Sequence, residues 1–205
     1  MMEFQLSWIE WVGFIAALIY LYFSVNQKIW LWPMGILSSL FYMIVFFKTH
    51  LYADMILQLY YLVVSIIGWM LWRERQIEEG KEKTHIVKAS SPMLLKLLLV
   101  FVLLYVFLAY LLVTVPPMLN IASSDLPYWD AFTTAASFVA TWMLAKKMID
   151  QWLVWIVVDA VAMGMYIYKE LYLTSVLFFV YSAIAVWGYY AWLADLKKER
   201  ISINN

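Results

Sequence analysis

Asp159 is the one ionisable residue near the middle of a long apolar run, 149–168. Trp152, Trp155, Asp159 and Tyr166 follow one another at steps of three, four and seven residues. That spacing puts them on one face of a helix. A carboxylate framed by aromatic rings suits a flat, positively charged ligand, held by cation–π contact and ion pairing together. An ionised group inside a bilayer is costly, so it needs a partner or a purpose. The alternative for Asp159 is a carboxylate satisfied by neighbouring hydroxyls and serving helix packing.

A second stripe runs through Asp54, Gln58, Tyr61, Ser65, Trp69 and Trp72. Asp54 sits near the end of its apolar stretch, and Trp72 stands where amphipathic rings favour the headgroup level. Gln58 lies about two turns inside. Its amide both donates and accepts, which fits the edge of a heteroaromatic ring, while packing between helices is the alternative. A third stripe offers Thr174, Tyr181, Gly188 and Trp192. Pro33 and Gly35 open another apolar stretch, where proline is tolerated in a first turn. Thr133, Thr134, Ser137 and Thr141 read as small residues for close packing.

These stripes need helices to hold them. The chain is 66% hydrophobic and 19% aromatic, well above a soluble domain. Seven stretches approach the roughly 20 apolar residues that cross a bilayer: 8–25, 29–47, 51–72, 93–113, 128–145, 149–168 and 171–193. They lack the two-residue alternation of a transmembrane barrel. Offset by 120 residues, the chain matches itself at Trp32/Trp152, Tyr52/Tyr172, Tyr61/Tyr181, Gly68/Gly188 and Trp72/Trp192. Four helices separate equivalent points, so the halves are expected to be parallel repeats joined by a linker helix. The expected fold is an all-α polytopic membrane protein, with seven transmembrane helices arranged three plus one plus three. Its divisions are a first bundle 1–72, a cytoplasmic linker 73–92, a linker helix and external loop 93–127, and a second bundle with tail 128–205.

The halves share a scaffold but not their polar groups. Phe178 stands at the position of Gln58, and Asp159 at that of Ser39. One asymmetric organic substrate on the pseudo-twofold axis would account for this.

Several chemistries drop out. There is no cysteine, hence neither a disulfide framework nor a thiolate metal site. His50 and His85 fall in loops on opposite faces, and no nucleophile–base arrangement or phosphate-binding glycine loop can be assembled. No catalytic residue, metal or cofactor is expected, and no nucleic-acid partner; the partners are a small molecule and the bilayer. A proton-coupled carrier titrating Asp159 remains an alternative, separable from a facilitator by pH-dependent flux. The N-terminus has no basic n-region or cleavage site, so the first helix is expected to stay.

Taken together, these segments resemble the PnuC-type vitamin transporters. Trp152-Leu153-Val154-Trp155-Ile156-Val157-Val158-Asp159 is similar to that family's Trp-x-x-Trp-x-x-x-Asn segment. Leu51-Tyr52-Ala53-Asp54 followed by Gln58, Tyr61, Gly68, Trp69 and Trp72 resembles it too. So do Trp30-Leu31-Trp32-Pro33-Met34-Gly35 and Leu171-Tyr172-Leu173-Thr174 leading to Gly188 and Trp192. The resemblance implies a SWEET-like fold in a bacterial cell membrane. It also implies passive uptake of a water-soluble vitamin, trapped by cytoplasmic phosphorylation, and a homotrimer in some members. It places Trp155 and Asp159 against the ligand. The full set of candidate contacts is Trp155, Asp159, Gln58, Tyr61, Trp152, Tyr166, Thr174 and Tyr181. Asp159 replaces the Asn of the nicotinamide riboside carriers, which points to thiamine, with nicotinamide riboside as the alternative.

Of the fourteen Lys and Arg residues, all but Lys48 and Lys169 fall in the odd-numbered loops and the tail. The positive-inside rule then predicts an external N-terminus and a cytoplasmic C-terminus. Reporter fusions at both ends check this: opposite sides are expected, and two ends on one side would refute seven spans.

Overall fold

The computed structural model describes residues 18–48, 52–80, 85–120 and 123–204. Helices α1 (18–25), α2 (Leu31–Lys48), α3 (Tyr52–Glu79), α4 (Ser91–Met118), α5 (Pro127–Ala145), α6 (Gln151–Tyr168) and α7 (Tyr172–Asn204) follow in chain order. The part of the first expected span before residue 18, and His50, lie outside the described residues. Among the described residues, three helical segments are long and apolar enough to cross a membrane: Ser91–Met118, Gln151–Tyr168 and Thr174–Glu199. Leu31–Ile44 is apolar but shorter.

The helix ends follow local chemistry. Prolines sit in the first turns of α4 and α5, where a missing N–H costs nothing. Helix α1 closes with the Lys28 N–H on the Phe23 carbonyl (2.8 Å) and the Gln27 N–H on Ser24 (3.2 Å). Helix α5 closes in the same way, Met148 to Met143 (2.9 Å) and Lys147 to Leu144 (2.8 Å). This is the Schellman pattern, which needs a left-handed residue. Gln27 (φ 55°) and Lys147 (φ 58°) supply it, 120 residues apart. The sequence repeat thus extends to hydrogen bonds and to helix starts, 31 against 151 and 52 against 172.

The packing recurs as well. Trp32 lies across Gly68 and meets Trp72 edge-on at 5.6 Å and 87°. Trp152 lies across Gly188 and meets Trp192 at 5.7 Å and 86°. A Cβ at Gly68 would stand 2.5 Å from the Trp32 ring, and one at Gly188 would stand 2.7 Å from Trp152. All four indoles are buried. These contacts bind α2 to α3 and α6 to α7 through flat rings pressed on bare backbone, the close approach that small residues allow between membrane helices.

The chain forms two compact units, one ending at His85 and one beginning at Ile86. Helix α4 therefore belongs with the second unit, where it packs against α5. The expected linker 73–92 is partly regular. Helix α3 continues to Glu79 because Arg73-Glu74-Arg75-Gln76 are good helix formers, and Gly80 at φ 62° follows it. Further on, Val87 pairs with the α5–α6 turn. Its N–H donates to Lys147 (3.0 Å), its carbonyl accepts from Ile149 (2.9 Å), and the Ala89 N–H donates to the Asp150 carboxylate (2.7 Å). Buried Ala89, Val139, Met143 and Met148 form a small core there, with Leu97, Phe101, Leu104 and Val154 packed around it.

Because the Trp152 ring fills the space a side chain would need, Gly188→Ala should overpack the α6–α7 contact and cost about 1–3 kcal/mol. Thermal unfolding of the purified protein checks this, and an unchanged midpoint would show that the contact yields freely.

Candidate functional site

Helices α6 and α7 are joined by a tight turn that reads like the one after α5. The Leu171 N–H reaches the Tyr166 carbonyl (2.8 Å), the Glu170 N–H reaches Ile167 (3.0 Å), and Glu170 takes φ 59°. The antiparallel pair is tied further by the Ser175 hydroxyl, which donates to the Met163 carbonyl at 3.3 Å. On α6 the face at 155, 159, 162 and 166 carries Trp155, Asp159, Ala162 and Tyr166. On α7 the equivalent face carries Thr174, Phe178, Tyr181 and Ala185.

Asp159 is only 6% exposed, and among the described residues its carboxylate has no hydrogen bond or ion pair. The reading in which neighbouring hydroxyls satisfy it finds no such partner there. Trp155, one turn before it, is half-buried. Toward the α6–α7 turn, the Tyr166 ring stacks on Phe178 at 5.1 Å and 22°, and Phe178 meets Tyr181 edge-on at 5.6 Å and 71°. Thr174 is half-buried one turn from Phe178. Trp155, Asp159, Tyr166, Thr174 and Tyr181 thus share one helix pair.

Trp152 is 1% exposed, covered by Gly188 and Trp192, and packs between the two helices. Its indole N–H has no hydrogen-bond partner among the described residues. Gln58 and Tyr61 belong to the first unit, on α3, and both are half-buried; Tyr61 lies edge-on to Tyr60 at 5.6 Å. In that unit Ser39, at the position of Asp159, is 3% exposed, and a Cβ on Gly35 would stand 2.7 Å from the Ser65 hydroxyl oxygen. Phe178 escaped the sequence reading as a site residue, although its spacing from Thr174 and Tyr181 placed it on the same face.

Among the described residues no group of three or more His, Cys, Asp or Glu is arranged to hold a metal ion. An apolar groove of α4, α5 and α6, lined by Leu97, Phe101, Phe132, Val139, Met143 and Val154, contains none of the candidate residues.

Helices long and apolar enough to cross a bilayer, one of them carrying a carboxylate with no partner among the described residues, define a membrane protein. The family described as nicotinamide mononucleotide transporter matches residues 7–194, and the chain belongs to it. It is 26% identical to the nicotinamide riboside transporter PnuC of Escherichia coli K12, over 96% of this chain and 89% of that protein. It is 24% identical to the riboflavin/roseoflavin transporter RibM of Streptomyces davaonensis, over 95% of this chain and 89% of that one. The fold is like that of a crystal structure titled as the vitamin B3 transporter PnuC, with TM-score 0.66 and 23% identity over 94% of this chain and 83% of the other. The protein is therefore an integral membrane transporter, not an enzyme.

At 6% exposure Asp159 has lost most of its hydration, and no hydrogen bond among the described residues replaces it, which costs stability. Asp159→Asn, which keeps the shape and removes the charge, should raise the unfolding midpoint of the ligand-free protein. A clear fall would mean that the carboxylate has a structural partner.

Proposed function

We propose that this chain carries a flat, cationic, water-soluble vitamin across the bacterial cell membrane by facilitated diffusion, with nicotinamide riboside the first candidate. The observation that carries the reading is Asp159, 6% exposed and without a partner among the described residues, on a face with Trp155 and Tyr166. In a helix of this kind a carboxyl group with no protein partner among the described residues is a place for a positive ligand. The aromatic rings supply stacking and cation–π contact to the same ligand. Thiamine, toward which Asp159 leans in place of the family's Asn, takes second place. The relatives described above are named for nicotinamide riboside and riboflavin, and a cationic nicotinamide ring satisfies Asp159 as well as thiamine does. Riboflavin, being neutral, makes less use of the charge.

The membrane arrangement belongs to the same proposal. Seven spans as three plus one plus three parallel repeats are supported by recurrence of helix starts, Schellman ends and Trp–Gly–Trp contacts at 120 residues. The charge distribution supports an external N-terminus and a cytoplasmic C-terminus. Gln58, Tyr61, Trp152, Thr174 and Tyr181 are further candidate contacts, and a homo-oligomer, a trimer by resemblance to some family members, is part of the same proposal. With one central ionisable residue there is little machinery for coupling, so accumulation in the cell would come from phosphorylation of the cargo.

Two measurements check this reading. In vesicles holding the purified carrier, nicotinamide riboside uptake should plateau at equal concentrations inside and out. Sustained accumulation driven by a proton gradient would instead identify a coupled carrier. In calorimetric titrations, Asp159→Ala should lose a charge-assisted hydrogen bond worth roughly 1.5–3 kcal/mol, about ten- to a hundredfold in Kd. Trp155→Ala should weaken nicotinamide riboside and thiamine alike. Asp159→Asn should weaken thiamine more than nicotinamide riboside, and equal losses would leave the two cargoes undistinguished by the carboxylate.

A further inference from the structure

We propose that Phe178 is a positioning residue: it holds the Tyr166 and Tyr181 rings as one fixed aromatic wall against which planar cargo stacks on its way to Asp159. The inference rests on the carrier reading above and adds the residue that shapes its selectivity. Among the described residues Phe178 is in ring contact with both Tyr166 and Tyr181. It lies nearly parallel to Tyr166 at 5.1 Å and 22°, and edge-on to Tyr181 at 5.6 Å and 71°. Those are the two geometries that aromatic quadrupoles favour. The wall spans two helices, with Tyr166 from α6 and the other two rings from α7. It is therefore fixed across the helix pair rather than along one helix.

Its place in the fold gives it a task. Tyr166 lies seven residues beyond Asp159 on the same face, about 10 Å along the helix at 1.5 Å per residue. A planar group moving between the α6–α7 turn and Asp159 passes along that face. A ring that is already oriented binds a flat partner without first losing torsional freedom, so fixing the two tyrosines favours planar cargo. The first unit shows what the scaffold does without this wall. Tyr61 stands where Tyr181 does, but Gln58 replaces Phe178. The same helix register therefore accommodates an amide at this point, and a glutamine there is compatible with the fold.

The test is initial-rate uptake of nicotinamide riboside by vesicles holding full-length wild type, Phe178→Leu, Phe178→Gln, Phe178→Tyr or Asp159→Ala, each normalised to folded carrier by thermal unfolding. Phe178→Leu and Phe178→Gln should raise KM roughly three- to tenfold while the maximal rate per folded carrier stays near wild type. Phe178→Tyr, which keeps the ring, should restore KM to within about twofold of wild type. Unchanged KM in both ring-less variants, or a fall in maximal rate alone, would overturn the positioning role, and so would failure of the tyrosine to rescue. If wild type takes up no nicotinamide riboside, the carrier reading fails and this inference with it. If wild type is active and Asp159→Ala is impaired while the Phe178 variants keep their KM, only the inference falls.

Discussion

The structure depends on how closely two helices can approach when lipid, rather than water, surrounds them. Apolar side chains gain nothing by leaving lipid for each other, so packing and backbone proximity must do what burial does in a soluble core. Here the device is an indole laid flat on a glycine and braced edge-on by a second indole, once per unit. Trp152 on Gly188 sets the spacing of α6 and α7 near the first turn of α6. Everything farther along the pair, Asp159 and the ring wall included, inherits that spacing.

Each unit applies the same device, and they differ where the device leaves freedom. Around the Trp–Gly contact the residues are fixed by shape and recur. One to three turns away they are set by chemistry and diverge, as Ser39 against Asp159, Ser65 against Ala185, and Gln58 against Phe178. At these equivalent points the first unit carries two hydroxyls and an amide, the second a carboxylate, a methyl group and an aromatic ring, so a common frame holds unlike chemistry.

Much of this was legible in the sequence. Helices, their repeat and the common face of Trp155, Asp159 and Tyr166 follow from apolar length and three-to-four-residue spacing. The ends of the apolar stretches were misleading as helix ends, because α3 continues through charged residues that favour helix as strongly as apolar ones do. Trp152 shows the limit of periodicity. A helical face can be read from spacing, but not how much of it the neighbouring helix covers, and Gly188 invites that ring inward. The allegiance of α4 was hidden for a similar reason. It rests on packing of Leu97, Phe101 and Leu104 against α5, joined by three hydrogen bonds of residues 87–89 with a turn some sixty residues away, which no local pattern announces. The central carboxylate stood out because any charge does so in an apolar run, whereas Phe178 was one more phenylalanine among many.

The left-handed turn after α5 has a consequence for what can stand at its tip. Lys147, one more basic loop residue in the sequence, is 1% exposed in the folded protein and holds φ 58°. That conformation costs an L side chain roughly 1–2 kcal/mol and a glycine nothing. Gln27 stands at the same place after α1, equally left-handed and 2% exposed. In each unit the tip therefore gives up backbone ease for a long side chain that the surrounding helices cover.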